Sequence, residues 1–136
     1  VMDKVFIDTD IILDVLAKRE PHFKFAAHLL SLADTGKIKI GVSSLTFSNL
    51  NYMLSKQFGS AEARKVLVRF KTLVQVLTVD DKIIELALGS NFKDFEDAIQ
   101  YYCAINNNYK TLLTRNLKDY KAAKIPVMTA ESFLKK

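Results

Sequence analysis

Asp8, Asp97 and Asp119 are the residues of this chain whose type and placement point most directly to chemistry. Asp8 follows the apolar run Val5-Phe6-Ile7, Asp97 lies within Asp94-Phe95-Glu96-Asp97-Ala98, and Asp119 comes shortly after Thr111-Leu112-Leu113-Thr114. Carboxylates gathered at strand ends repel one another unless a cation or a proton sits among them. Oxygen ligands of this kind suit a hard divalent metal. The expectation is one acidic, metal-binding site assembled from distant segments.

The elements that must position these groups follow from hydrophobic period and punctuation. Lys4–Ile7 predicts a buried strand, the spacing of Ile11, Ile12, Val15 and Leu16 a helix that stops before Pro21, and Phe25 through Ala33 a second helix ending at Gly36. Ile38–Val42 predicts the next strand, with Ser44 or Thr46 as the cap of a helix over Leu45–Lys56. Further helices are expected at Ala63–Phe70 and Ile83–Leu88, with a strand at Leu73–Val79 between them. Asp94 opens a helix through Ile105, Tyr109–Leu113 predicts a strand, and Val127-Met128 a last short one before a helix over Ala130–Leu134. Strands that alternate with helices make a parallel sheet covered on both faces. Ligands of such sheets bind outside the carboxyl ends of the strands, which is where Asp8 and Arg115 to Asp119 would lie if the first and fourth strands are neighbours.

Composition sets the bounds. A chain of 136 residues fits one domain, and 49% hydrophobic with 26% charged residues is ordinary for a folded protein. Four Gly and two Pro leave no room for a flexible linker. No apolar run approaches the length of a membrane span and no leader precedes the first strand, so a cytoplasmic protein without membrane contact is expected. The net charge of +5 is compatible with a polyanionic partner. Cys103, the one cysteine, suits a small buried hydrophobe.

Other residues carry weaker signals. Asp94 with Asp97 three positions later resembles a helix-capping arrangement, a structural role that Asp97 can combine with a functional one. His22 and His28 have no third ligand, and Arg64, Lys65, Arg69 and Lys71 suit a solvated helix face. Tyr101, Tyr102 and Phe95 include at least two core residues by helical spacing. Tyr52, Met53 and Phe58 suit either a dimer face or the core.

Three segments, Val5-Phe6-Ile7-Asp8-Thr9-Asp10, Asp94-Phe95-Glu96-Asp97-Ala98 and Thr114-Arg115-Asn116-Leu117-Lys118-Asp119-Tyr120, resemble the acidic motifs of a PIN domain in order and spacing. VapC-type toxins, which are metal-dependent endoribonucleases, are similar. The resemblance implies that residues 1–136 form a single three-layer α/β/α sandwich. Its sheet would have four or five mainly parallel strands in the order 3-2-1-4-5. It further implies Asp8, Asp97 and Asp119 as catalytic, metal-binding residues for Mg2+ or Mn2+, with Asp10, Asn49 and Asn116 completing the shell. RNA would be the substrate, with Thr9 and Thr114 orienting ligands and Arg115 contacting a phosphate oxygen, although each of these three suits a structural role equally well. Such toxins form homodimers and are blocked by an antitoxin protein.

The chain departs from this pattern where Asn49 stands for an expected glutamate and Asn116 for a frequent aspartate. Each amide removes a negative charge, so weaker magnesium binding is expected. Asp10, where similar sequences carry Asn, restores one carboxylate, and Glu96 can help in the same way. A catalytically weak PIN-like module that binds RNA or protein is the alternative. A haloacid-dehalogenase-like phosphatase using Asp8 and Asp10 ranks lower, because Ile11-Ile12 replaces the small residues that usually follow its Asp-x-Asp and no Gly-Asp-x-x-x-Asp follows a later strand.

Overall fold

The computed structural model describes residues 2–136. Strand β1 (Asp3–Ile7) runs through the middle of the molecule and is buried on both faces over Val5, Phe6 and Ile7. Side chains alternate across a strand, and the two faces join different cores. Val5 and Ile7 pack with the helices α1 (Thr9–Leu16), α2 (Phe23–Asp34), α3 (Ser44–Phe58), α4 (Ser60–Lys71) and α7 (Ala130–Leu134). Phe6 packs with α5 (Asp81–Leu88), α6 (Phe95–Asn106) and Tyr120.

Four further strands, β2 (Ile38–Ser43), β3 (Gln75–Leu77), β4 (Leu112–Leu113) and β5 (Val127–Met128), complete an all-parallel sheet of order β3-β2-β1-β4-β5. The expected α/β/α sandwich with order 3-2-1-4-5 is therefore present, with five strands. The β1 and β4 ladder closes with the Asp8 N–H donating to the Leu113 carbonyl at 3.0 Å, and Thr114 N–H donates to Met128 carbonyl at 3.0 Å. Asp8 and Thr114 thus leave neighbouring strands at the same carboxyl edge. No helix among the described residues is long and apolar enough to cross a membrane.

Two strands are shorter than their apolar runs predict, for a local reason in each case. Tyr109 N–H donates to the Ala104 carbonyl, closing the end of α6 with Asn108 at φ 64°, so the backbone there belongs to the helix terminus rather than to the ladder. Beyond Leu77, Val79 N–H donates to Ser44 Oγ at 3.3 Å, a side-chain partner in place of a strand. The cap of α3 is Ser43, not Ser44 or Thr46; its Oγ accepts from Thr46 N–H at 3.2 Å. A 3-10 turn at Leu117–Tyr120 carries no periodic signal and was not expected.

Gly41 of β2 lies opposite Phe6 in the β1 register, on the side where the Tyr109 ring crosses the sheet. A Cβ at position 41 would stand 2.6 Å from Tyr109 Cζ and 2.9 Å from Leu77 Cδ1. The ring cannot withdraw freely, because its hydroxyl donates to Gln75 Oε1 at 2.6 Å and Lys4 Nζ lies 4.5 Å from its centroid. Gly41→Ala is therefore expected to lose about 1–3 kcal/mol in urea unfolding, the range for overpacked cores. An unchanged midpoint would show that the ring has room to move.

Candidate active site

Asp8 is the centre of the polar edge. It is 7% exposed, and its two carboxylate oxygens face separate sets of donors. Oδ1 accepts from Thr9 N–H at 2.8 Å, capping α1, and from Gln100 Nε2 at 3.4 Å. Oδ2 accepts from Thr114 Oγ1 at 3.0 Å and from the Tyr120 hydroxyl at 3.1 Å. Burial pushes its carboxyl above the ordinary range, while these hydrogen bonds oppose the rise.

Asp10, in the first turn of α1, is bound from the segment that follows β4. Its Oδ2 accepts from Arg115 N–H at 2.9 Å and lies 3.3 Å from Thr114 Oγ1, whereas its Oδ1 is buried with no hydrogen-bond partner. Its carboxyl is raised first by burial and then by the charge of Asp8. Asp97 comes in from α6, where Asp94 caps the helix through Oδ1 accepting from Asp97 N–H at 3.0 Å. Asp97 Oδ1 is 3.4 Å from the same Tyr120 hydroxyl that serves Asp8. Its carboxyl is pushed up to about 7, by burial first, then by Asp8, Asp94 and Asp119.

A hydroxyl has one proton to give. Thr114 faces both Asp8 and Asp10, and Tyr120 faces both Asp8 and Asp97, so neither can satisfy its two carboxylates at once. The deficit is one of positive charge, and a proton or a cation meets it. Among the described residues no three carboxylate, imidazole or thiolate groups are close enough to enclose an ion by themselves.

The remaining expected residues divide. Thr9 Oγ1 turns toward Thr46 Oγ1 at 3.5 Å. Asn49 Nδ2 donates to Glu96 Oε1 at 3.0 Å, which ties α3 to the start of α6. Asn116 is exposed, its N–H donating to Thr114 Oγ1 at 3.1 Å, and Asp119 is exposed in the 3-10 turn, acting on Asp97 through its charge. Arg115 has its guanidinium turned to α1. Its Nε and Nη2 donate to Asp14 Oδ2 and Oδ1 at 2.8 and 3.0 Å, a forked pair that pins α1 to the segment after β4.

Sequence reasoning gave no role in the site to Asp14, Gln100 or Thr46. Asp14 lies one turn beyond Asp10 and Gln100 nearly one turn beyond Asp97, so helical spacing was the available signal. Gln100 is 1% exposed, and its Nε2 also donates to Thr46 Oγ1 at 2.9 Å, with Ser43 Oγ at 3.1 Å from that hydroxyl. This buried polar chain runs from the end of β2 to Asp8. Cys103 is fully buried and the cations of α4 are exposed, as expected. Tyr101 is buried and Tyr102 half-buried, while Phe95, Tyr52, Met53 and Phe58 are exposed.

An α/β/α sandwich with an acidic site at the carboxyl edge of its two central strands is the class that this geometry defines. A family model described as PIN domain matches residues 4–118, and the chain belongs to that family. It is 31% identical over 139 residues to "Ribonuclease VapC1" of Aquifex aeolicus (strain VF5), covering 96% of this chain and 93% of that protein. The fold is shared with a chain of the DNA-bound VapBC structure from Salmonella typhimurium, at a TM-score of 0.71 and 18% identity over 95% of this chain and 99% of that one. It is shared also with a toxin-antitoxin complex from Klebsiella pneumoniae, at a TM-score of 0.69 and 23% identity over 93% and 97%. The phosphatase expectation falls with the family assignment.

Two outcomes follow from the electrostatics. Asp97 keeps its proton up to about pH 7 when folded, against an ordinary value of 3.8. Between those values the folded chain binds more protons than the unfolded one, so this group's contribution to stability falls as pH rises. Chelator-treated protein should lose melting temperature from pH 4 to 7 more steeply than Asp97→Asn, and equal slopes would contradict the shift. Arg115→Met leaves Asp14, 1% exposed, buried without its partner, at a cost of roughly 3 kcal/mol. The double substitution Asp14→Leu with Arg115→Met should recover most of that loss in urea unfolding.

Proposed function

We propose that this chain is a Mg2+- or Mn2+-dependent endoribonuclease that cleaves phosphodiester bonds in RNA, acting in the cytoplasm as the toxin of a toxin-antitoxin pair. The observation that carries the reading is Tyr120, whose one hydroxyl bridges Asp8, at the end of β1, and Asp97 of α6. The relative named as a ribonuclease supports the RNA substrate, and the toxin-antitoxin structures support an antitoxin partner. A homodimer belongs to the same reading, with exposed Tyr52, Met53 and Phe58 as apolar surface for it.

The donor set suits a magnesium-like ion. All the groups are oxygens, Asp10 Oδ1 is a buried acceptor without a donor, and magnesium is commonly held by one or two carboxylates with several waters retained. Asp8 and Asp97 would hold the ion, with Asp10, Asp119, Asn49 and Asn116 around it directly or through water. Such an ion supplies positive charge at the phosphodiester and a water acidic enough to attack near neutral pH. Gln100, Thr114 and Tyr120 fix the direction of the Asp8 oxygens, so that little reorganisation is needed when substrate arrives. Arg115 holds Asp10 through its backbone N–H and α1 through Asp14.

A second reading, a catalytically silent module, is favoured by Asn49, which gives an N–H to Glu96 in place of a carboxylate to the site. Calorimetric titration with Mg2+ and Mn2+ separates the two: binding in the micromolar to millimolar range is expected of the nuclease, and a flat titration of the module. Asp8→Asn and Asp97→Asn should each lower metal-dependent RNA cleavage by about 100-fold or more. Cleavage unaffected by both substitutions would place the chemistry elsewhere. Asn49→Glu should raise the activity of an enzyme short of one carboxylate.

A further inference from the structure

A cleft of about 550 Å3 opens between the start of α6 and the 3-10 turn, with Lys93, Asp94, Lys118, Asp119 and Lys121 in its lining. Asp94, whose Oδ1 accepts from Asp97 N–H at 3.0 Å, lines it on the α6 side and Asp119 on the side of the turn, and the charges of both raise the Asp97 carboxyl. The cleft therefore adjoins the acidic cluster. Its cations are Lys93, Lys118 and Lys121, all exposed. Ion pairs among the described residues are Arg115–Asp14 and Lys135–Glu131, so these three ammonium groups have no carboxylate partner. Two exposed apolar side chains, Phe95 and Leu117, each 46% exposed, belong to the elements that flank the cleft.

Three free cations beside two aspartates would not hold a strand in place by net charge alone. Their arrangement matters more, because lysines act as point charges for phosphates spaced along a backbone, and Phe95, the residue after Asp94 of the lining, is an exposed ring of the kind on which a base stacks. We infer that this cleft is the path of a single-stranded RNA flanking the scissile phosphate, with Lys93, Lys118 and Lys121 contacting its backbone and Phe95 stacking a base. The inference rests on the nuclease reading for the identity of the strand. The basic face of α4, with Arg64, Lys65 and Arg69 around a shallow hollow, carries similar charge but none of the site's carboxylates, and so provides the control.

The test is the binding of a fluorescently labelled single-stranded oligoribonucleotide to Asp8→Asn protein, followed by anisotropy over a range of salt concentrations. Combining Lys93→Gln, Lys118→Gln and Lys121→Gln in that background should weaken binding at least about tenfold at low salt. The slope of log affinity against log salt should become shallower by about 2, since each phosphate contact on a single strand contributes about 0.7. Arg64→Gln, Lys65→Gln and Arg69→Gln together should leave the slope near that of the parent. Equal slopes in the cleft variant, or an equal loss in the α4 variant, overturn the inference. An acidic peptide that binds through the three lysines where RNA does not overturns it in favour of a protein partner. Metal-dependent cleavage is measured in parallel with Asp8 intact: cleavage with KM unchanged by the cleft substitutions overturns the cleft and leaves the nuclease standing. RNA binding that depends on the lysines, without cleavage, supports the cleft and overturns the nuclease.

Discussion

Burial of the Asp8 carboxylate is the constraint around which the rest of this structure is arranged. A carboxylate withdrawn from water is costly unless its lone pairs are met. The four donors that meet them come from the start of α1, the middle of α6, the residue after β4 and the end of the 3-10 turn. Those donors can converge only if β4 pairs directly with β1 and α6 crosses the sheet behind both. The strand order and the site are thus one requirement seen at two scales, and the central position of β1 follows from it.

Asp8 is also the source of the site's unfinished electrostatics. Burial first, and then the Asp8 charge, raises both Asp10 and Asp97, and the two hydroxyls that bridge these pairs cannot supply enough protons. The neighbouring Asp14 shows the contrast. It is equally buried, but the guanidinium of Arg115 meets it with two N–H groups, and it serves as an anchor for α1. One carboxylate of α1 is met by a guanidinium and the other is left with an open oxygen. The excess of positive charge over the whole chain coexists with this local excess of negative charge.

Most of the architecture was legible along the chain. The alternation of apolar runs and helical spacing specified a parallel sheet, and Val5-Phe6-Ile7, apolar without interruption, marked a strand buried on both faces. Where strand lengths differed, competing partners for the backbone were responsible: the Ala104 carbonyl for Tyr109 and the Ser44 hydroxyl for Val79. The three-residue offset from Asp94 to Asp97 was sufficient to identify the α6 cap, because capping is a contact between near neighbours.

What the amino-acid sequence determined by itself was therefore what short-range physics controls: the elements, their order, and which aspartates fall at their ends. Tertiary structure alone decided that Arg115 faces Asp14, that Asn49 is spent on Glu96, that Gln100 and Tyr120 reach Asp8, and that Asp119 stays at the rim. These contacts join residues far apart in the chain, and each depends on a side chain choosing among several partners of similar chemistry. Local pattern is silent on that choice, because it is made by burial and by the strand register that brings β1, β4 and α6 together.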